Sequence, residues 1–269
     1  MSDYDRNVAA FPGARAGQAV AVDAGLRAHM IRVYNYMAGA VGLTGVVAWL
    51  TYQASGGDAI RIVGRGAITG LTPFGEMVMG GYSPIILMLA TLGLVFFISF
   101  RIDRLQYTTA FGLFMLYAAL LGAALSTIFV QYTGTSITQV FFISAASFGA
   151  LSLYGYTTQR DLSPFGAFLI MGLFGLIIAL LASQMFGLII AMVVNIWLAS
   201  NALAFAISVV GVLVFAGLTA WDTQKIKEMY DVNDDGTVAG RKAVMGALTL
   251  YLDFINLFLM LLRLFGDRR

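Results

Sequence analysis

Residues 243–265 read AVMGALTLYLDFINLFLMLLRLF, an apolar run that is long enough to cross a bilayer as a helix. Such a crossing needs roughly 20 mostly apolar residues. Asp253 lies about eleven residues into the run, so a rise of about 1.5 Å per residue places its carboxyl group roughly 16 Å deep, near the bilayer midplane. The run therefore predicts a transmembrane helix that buries one ionisable side chain.

The composition of the whole chain also indicates a membrane protein. Of its 269 residues, 59% are hydrophobic and 11% are charged, whereas soluble domains carry about 25% charged residues. The net charge is +2 and the basic residues are scattered, which argues against a nucleic-acid partner. The chain contains no cysteine, which excludes disulfides, thiolate metal sites and cysteine nucleophiles.

Seven apolar segments predict an all-α integral membrane protein with seven transmembrane helices. Clusters of glycine, proline and polar residues separate them. Residues 188–198 are also apolar but too short for a separate crossing, so they either extend the fifth span or form an interfacial helix. The predicted spans are residues 31–52, 83–100, 107–130, 137–157, 165–187, 202–223 and 243–265.

Residues 1–29 form a polar segment before the first span. Charged side chains are spread through it and no apolar core precedes Met30, so it does not resemble a secretory signal peptide. We therefore divide the chain into an N-terminal tail, residues 1–29, and a transmembrane domain, residues 30–269.

The distribution of Lys and Arg in the short loops predicts a cytoplasmic N-terminal tail. The C-terminal arginines lie on the outer side in this topology, which the distribution of basic residues does not favour. The alternative is therefore a re-entrant seventh segment. The basic residues on the predicted cytoplasmic side are Arg6, Arg15, Arg27, Arg32, Arg101, Arg104, Arg160, Lys225, Lys227, Arg241 and Lys242, and those on the outer side are Arg61, Arg65, Arg263, Arg268 and Arg269.

Three ionisable residues stand out among those in or at the end of the apolar spans. Asp253 is inside the last span, Asp222 closes the sixth and Arg101 closes the second. Intramembrane ionisable groups are rare, and they are functional-site candidates by default. The predicted topology gives all three access to the cytoplasmic half of the membrane, so we expect them to converge on one site.

Two carboxyl groups at hydrogen-bond distance in a low-dielectric site cannot both ionise easily, so they share a proton. Such a pair of Asp222 and Asp253 would sense pH, and Arg101 would be a latch that favours the doubly charged form. Two ionised carboxylates also suit a hard cation such as Ca²⁺, so both aspartates are candidate metal contacts. The alternative is that each aspartate only caps or joins helices, for example Asp222 paired with Lys225.

Other motifs give no support to an enzyme. The loop that begins at Asp231 opens like a calcium-binding EF-hand, but its twelfth position is Lys242 where that motif needs a bidentate Glu. The glycines of residues 56–75 lack the ending of a phosphate-binding loop. His29 is the only histidine and has no partner motif, and the sequence indicates no cofactor.

Two stretches resemble one known family. Residues 215–227, FAGLTAWDTQKIK, are similar to the sixth-helix signature of the Bax-inhibitor (transmembrane Bax inhibitor motif) family. Residues 247–258, ALTLYLDFINLF, resemble its seventh-helix signature and are followed by Leu261-Leu262-Arg263. The resemblance covers residues 30–266, and the polar tail indicates a bacterial member in the inner membrane.

This resemblance implies a seven-helix fold in which the seventh helix is central and surrounded by the other six. It also implies a pH-sensitive Ca²⁺ leak channel, gated by protonation of an aspartate pair that falls on Asp222 and Asp253, with Arg101 as the latch. Lipid, Ca²⁺ and H⁺ are then the expected partners. The resemblance also implies an alternative, a regulator that binds a membrane-bound AAA protease, in which the N-terminal tail would matter more than the aspartates. A third reading is a proton-coupled transporter that uses the same carboxylates.

Overall fold

The structure is a computed structural model that describes the backbone of residues 12–63, 67–193 and 201–269, with side chains over 24–61, 68–178 and 205–269. Nine α-helices and one short hairpin form in these ranges. The helices are α1 (Pro12–Ala54), α2 (Pro73–Met79), α3 (Ser83–Arg101), α4 (Tyr107–Leu125), α5 (Ile128–Gln131), α6 (Gly134–Thr157), α7 (Ser163–Val193), α8 (Asn201–Glu228) and α9 (Gly236–Phe265), and the antiparallel strands are β1 (Arg61–Val63) and β2 (Ala67–Thr69).

Six helical segments are long and apolar enough to cross a membrane, which confirms an all-α membrane protein. They correspond to every predicted span except the fifth. That span falls in α7, whose apolar part with described side chains, Ser163–Ile178, is shorter than a full crossing. The seventh crossing therefore stays a prediction. The backbone of α7 continues to Val193, which favours the extension of the fifth span over a separate interfacial helix as far as that residue.

Helix α9 is the most buried of the six segments. In its most apolar window 72% of the residues are buried, against 50% in α8 and 11% in α3. It packs against α1, α4, α6 and α8, while α3 packs on α4 and α7 packs on α8. The last helix thus lies at the centre of the bundle. Small residues on its surface, such as Gly246 against Ile226, let the neighbouring helices approach closely.

The predicted helix ends near the α8–α9 connection were wrong. The segment from Gln224 to Lys242 was predicted as a loop, but α8 continues to Glu228 and α9 already begins at Gly236. Asp222 therefore lies about one and a half turns before the end of α8 instead of in its final turn. Hydropathy marks the part of a helix that lies in hydrocarbon, whereas these ends are polar residues that continue the helix outside it.

The carboxylates of the acidic α8–α9 loop form contacts within the loop and with the first turns of α9. Oδ1 of Asp231 accepts a 2.9 Å hydrogen bond from the Asn233 N–H, which lowers the pKa of Asp231. Asp235 caps α9 by accepting a 2.7 Å bond from the Val238 N–H. Asp234 forms an ion pair of 2.5 Å with Lys242, the residue at the twelfth position of the loop that resembles an EF-hand.

At the other end of the bundle, the C-terminal residues pack onto the first loop. The Arg269 N–H donates to the Gln131 carbonyl at 3.0 Å, and its guanidinium lies 3.3 Å from Oδ1 of Asp58. Tyr52 also donates to this carboxylate at 3.0 Å, and these bonds lower the pKa of Asp58. The first loop contains the β1–β2 hairpin and α2, neither of which the sequence analysis predicted.

The first helix crosses the predicted boundary between tail and membrane domain. Helix α1 begins at Pro12, inside the predicted tail, and residues 1–11 lie outside the described residues. His29 is 6% exposed and its ring lies 5.9 Å from that of Tyr230. The last residues of the predicted tail therefore pack against the α8–α9 connection, while the cytoplasmic location of the tail stays a prediction.

Candidate functional site

The structure brings Asp222 and Asp253 together between α8 and α9. The two helices run antiparallel and are in contact along their length, as the approaches of Gly246 to Ile226 and of Gly211 to Met260 show. Asp222 is 8% exposed and Asp253 is 6% exposed. Their carboxyl groups are close enough to interact directly. The predicted aspartate pair is therefore present in the interior of the bundle.

The pair can form a hydrogen bond only if one of its members carries a proton. An ionised carboxylate has acceptor atoms alone, so two carboxylates facing each other have no donor between them. Oδ2 of Asp253 is fully buried and finds no donor among the described residues. Burial of an ionised carboxylate without a partner is costly. The geometry therefore fits a pair that shares one proton between its two carboxyl groups.

Helix α9 is fixed on the opposite side by a second polar contact. The hydroxyl of Tyr251 lies 2.6 Å from Oγ1 of Thr44 in α1, and this Oγ1 lies 2.9 Å from the Ala118 carbonyl of α4. Tyr251 and Thr44 are buried, so the contact gives the Tyr251 hydroxyl a hydrogen-bond partner in the interior of the bundle. Three helices therefore meet two residues before Asp253, and this contact fixes the rotation of α9 that points the aspartate at α8.

Helix α8 is held by a row of hydroxyl groups beside Asp222. Oγ1 of Thr223 donates to the Thr219 carbonyl at 2.7 Å and lies 2.9 Å from Oγ of Ser152 in α6. Ser152 also forms a hydrogen bond with the hydroxyl of Tyr34 in α1. These contacts link α1, α6 and α8 through side chains that are buried or half-buried.

We expect Ser152→Ala to lower the free energy of unfolding by about 1 kcal/mol, because it removes both hydrogen bonds while Thr223 keeps its bond to Thr219. Ser147→Ala on the same helix is the matched control, since no side chain or backbone group in the described part of the chain forms a hydrogen bond with the Ser147 hydroxyl. Thermal unfolding of both variants in detergent measures the difference. Equal melting temperatures would show that the hydroxyl row does not stabilise the contact between α6 and α8.

Two polar neighbours of Asp222 point away from it. The side chain of Gln224 accepts a 2.8 Å bond from the Leu162 N–H and donates one of 2.8 Å to the Arg160 carbonyl, which ties α8 to the α6–α7 loop. The amine of Lys225 lies over the ring of Trp221, 5.1 Å from its centroid. Among the described residues no ion pair joins Lys225 to Asp222. The structure therefore does not show the ion pair with Lys225 that would give Asp222 a purely structural role.

Arg101 is not part of the pair in this structure. It closes α3, its side chain is exposed, and the described residues include no ion pair between it and Asp222. The turn that follows it packs on the start of α9, where Arg241 donates to the Asp103 carbonyl. Since Arg241 precedes Asp253 by about 18 Å along α9, Arg101 lies near one end of the bundle. Its role as a latch stays a prediction that requires movement of α3 or of its side chain.

Sequence reasoning missed the hydroxyl contacts of Thr44, Ser152 and Thr223. One signal for them is the four-residue spacing of small and polar residues on α6, which is a buried face in the structure. The residues of that face are Ser136, Val140, Ser144, Phe148, Ser152 and Gly155. The spacing predicts a face of close approach to another helix, but it does not identify α8 as the partner.

The pair offers two carboxyl groups to a cation. Among the residues that the structure describes, no group of three or more His, Asp and Glu side chains is arranged to hold a metal ion. Calcium takes six to eight oxygen ligands at a typical resident protein site. Contact of Ca²⁺ with Asp222 and Asp253 therefore stays a prediction, and it suits a passing ion better than a resident one.

The comparison with known proteins identifies the family. A family model described as inhibitor of apoptosis-promoting Bax1 matches residues 26–269. The chain belongs to the Bax inhibitor-1 family. This confirms the resemblance found in the two helix motifs, and both aspartates lie inside the matched region.

Several bacterial proteins are similar to this Bax inhibitor-1 family member over nearly their full length. The chain is 45% identical over 247 residues to an uncharacterized protein of Rickettsia prowazekii, which covers 92% of each chain. It is 43% identical over 257 residues to the inner membrane protein YbhL of Escherichia coli K12, which covers 95% of this chain and 98% of YbhL. An uncharacterized protein of Caulobacter vibrioides is 39% identical over the whole length of both chains.

Proposed function

We propose that this Bax inhibitor-1 family member is a pH-sensitive calcium leak channel of the bacterial inner membrane. The observation that carries the proposal is the buried Asp222–Asp253 pair between α8 and α9. The proposed channel conducts passively, so it requires neither a catalytic residue nor a cofactor. The inner-membrane location is supported by the similarity to YbhL.

The gate follows from the proton that the pair shares. At low pH one proton lies between the two carboxyl groups and holds α8 against α9. At higher pH both groups ionise, and two negative charges in contact inside a low-dielectric bundle repel each other. The helices then separate at this point, and the exposed carboxylates attract a hard divalent cation. In this open form Arg101 would move to Asp222 and stabilise the doubly charged state.

The orientation that we propose places the α8–α9 loop in the cytoplasm. Arg160, Lys225, Lys227, Arg241 and Lys242 cluster at this end of the bundle, as Gln224 bonded to the Arg160 carbonyl and Lys227 bonded to the Tyr156 carbonyl indicate. Basic residues in short loops favour the cytoplasmic side. The pair would therefore respond to cytoplasmic pH.

Proteoliposomes test the proposal directly. Purified protein is reconstituted around a calcium indicator, a Ca²⁺ gradient is imposed, and entry is measured from pH 6 to pH 8. We expect entry above that of protein-free liposomes, rising with pH as the pair ionises. Entry no greater than in protein-free liposomes at every pH would contradict the proposal. Saturable uptake of another solute that requires a proton gradient would indicate a transporter instead.

A further inference from the structure

A long groove separates α1 from α6 on the surface of the bundle. Helix α1 packs mainly on α4 and α9, and α6 packs mainly on α8 and α9, which leaves a gap between α1 and α6. At one end the gap widens into a cavity of about 610 Å³, within the range of about 300–1,000 Å³ that is common for ligand sites. Its walls include Arg27, Ile31 and Tyr34 of α1, and Gly149, Leu153 and Tyr156 of α6. We call this space the α1–α6 groove.

The same two helices line further open space toward the other end of the bundle. A second cavity of about 560 Å³ lies between Val41, Gly45 and Ala48 of α1 and Ile137 and Phe141 of α6. The lining residues of α1 run from Arg27 to Tyr34 in the first cavity and from Val41 to Ala48 in the second, and their spacing places them on one helix face. This face is roughly 31 Å long, which matches the hydrocarbon thickness of about 30 Å. The groove is therefore long enough for an acyl chain.

The charges of the groove lie at one end only. Arg27 is the charged side chain that lines the first cavity, and the described residues that line the second cavity are all uncharged. Lys227 lies at the same mouth as Arg27, since its amine donates to the Tyr156 carbonyl at 2.9 Å and stands 5.3 Å from the centre of the Tyr156 ring. The first cavity thus has Arg27 in its lining, Lys227 beside its lining residue Tyr156, and otherwise mostly apolar walls.

The floor of the first cavity is a closed polar contact. The hydroxyl of Tyr34 is bonded to Ser152, and Ser152 is bonded to Thr223 behind it. These hydroxyl groups have partners within the protein, so they do not require a ligand of their own. The wall is otherwise apolar, and Gly149 leaves open space, because a Cβ atom there would have no neighbour within 4 Å.

We propose that the α1–α6 groove binds one anionic phospholipid of the surrounding bilayer. Its phosphodiester head group lies at Arg27 and Lys227, and an acyl chain runs along the apolar wall past Gly149. Arg binds phosphate oxygens through its fork of N–H donors, and basic pockets between transmembrane helices bind anionic head groups. An apolar helix of a partner protein would leave the Arg27 guanidinium without a counterpart.

Native mass spectrometry after reconstitution tests this assignment. The protein is exchanged into bilayers of equal phosphatidylglycerol and phosphatidylcholine, extracted in mild detergent, and examined for retained lipid. We expect one retained phosphatidylglycerol per chain. Arg27→Gln should lower its occupancy about fivefold, as expected for one basic group at a membrane surface. Gly149→Leu should abolish it, because the new side chain fills the groove.

Matched controls separate lipid binding from a general loss of structure. Arg32→Gln removes a nearby exposed arginine of α1 that does not line the groove, and Gly112→Leu fills equal open space at an exposed glycine of α4. Both should retain phosphatidylglycerol as the unmodified chain does. If Gly149→Leu lowers the melting temperature and Gly112→Leu does not, the test rests on the lipid retained by Arg27→Gln compared with Arg32→Gln.

Three outcomes would overturn the assignment: equal retention of both lipids, equal loss in the two arginine variants, or a second protein chain in place of the lipid. The measurement records lipid mass and does not involve Ca²⁺ flux. Its failure and the failure of the proposed channel are therefore distinguishable.

Discussion

Asp253→Asn is expected to hold calcium entry at its low-pH value over the whole range from pH 6 to pH 8. An asparagine amide donates a hydrogen bond to the Asp222 carboxylate at any pH, so it replaces the shared proton permanently. The helices α8 and α9 then stay together when the solution becomes alkaline. Coupling free energies between sites are typically about 1–3 kcal/mol, which predicts a loss of roughly 5- to 150-fold in flux at pH 8.

Asp222→Asn should have the same effect, because the pair needs two titrating groups to become doubly charged. Asp161→Asn is the matched control: this aspartate lies in the α6–α7 loop, is exposed and accepts a 2.8 Å hydrogen bond from the Ser163 N–H. Its flux and pH dependence should equal those of the unmodified protein. If Asp253→Asn and Asp222→Asn both retain the normal flux and its rise with pH, the aspartate pair is not the gate.

The central helix and its aspartate could be predicted from the sequence because their signals are local. Asp253 lies within one apolar run, and its depth follows from helix geometry alone. Asp222 by itself is a weaker indication of a buried site, since a carboxylate near a helix end is common. The motif around it, with Trp221 before it and Lys225 after it, made the pairing with Asp253 an expectation before the structure showed the contact.

The position of Arg101 and the hydroxyl contacts could not be predicted in the same way, because they depend on contacts between distant parts of the chain. Arg101 ends an apolar span as expected, but whether it reaches Asp222 depends on how α3 packs, and α3 packs on α4. The bond between Ser152 and Thr223 joins residues far apart in sequence, and no local pattern pairs α6 with α8. Helix ends outside the membrane were also missed, because hydropathy does not report the polar continuation of α8 to Glu228.

The segment of α8 that precedes Asp222 is held unusually closely by glycines. A Cβ atom on Gly155 of α6 would lie 2.1 Å from the Ala220 carbonyl oxygen, and one on Gly166 of α7 would lie 2.2 Å from the ring of Trp221. Backbone atoms cannot turn aside as the end of a flexible side chain can. The contact between Gly155 and Ala220 therefore sets the distance between α6 and α8 directly beside the aspartate pair.

Gly155→Ala should consequently destabilise the protein although alanine favours helices over glycine by about 1 kcal/mol. The added methyl group forces α6 and α8 apart, and overpacking of this kind costs about 1–3 kcal/mol, or roughly 2–12 °C in melting temperature. Gly149→Ala on the same helix meets no atom within 4 Å, so its melting temperature should be equal or slightly higher. Thermal unfolding of both variants in the same detergent makes the comparison.

The same substitution connects stability with gating. Because Ala220 lies two residues before Asp222, displacement of α8 weakens the contact of Asp222 with Asp253, so calcium entry at pH 6 should rise toward its value at pH 8. Gly149→Ala should leave both values unchanged. A Gly155→Ala protein with the melting temperature of Gly149→Ala would show that α8 adjusts without cost. If that protein is destabilised and yet keeps low entry at pH 6, the separation of α8 from α9 is not what opens the pathway.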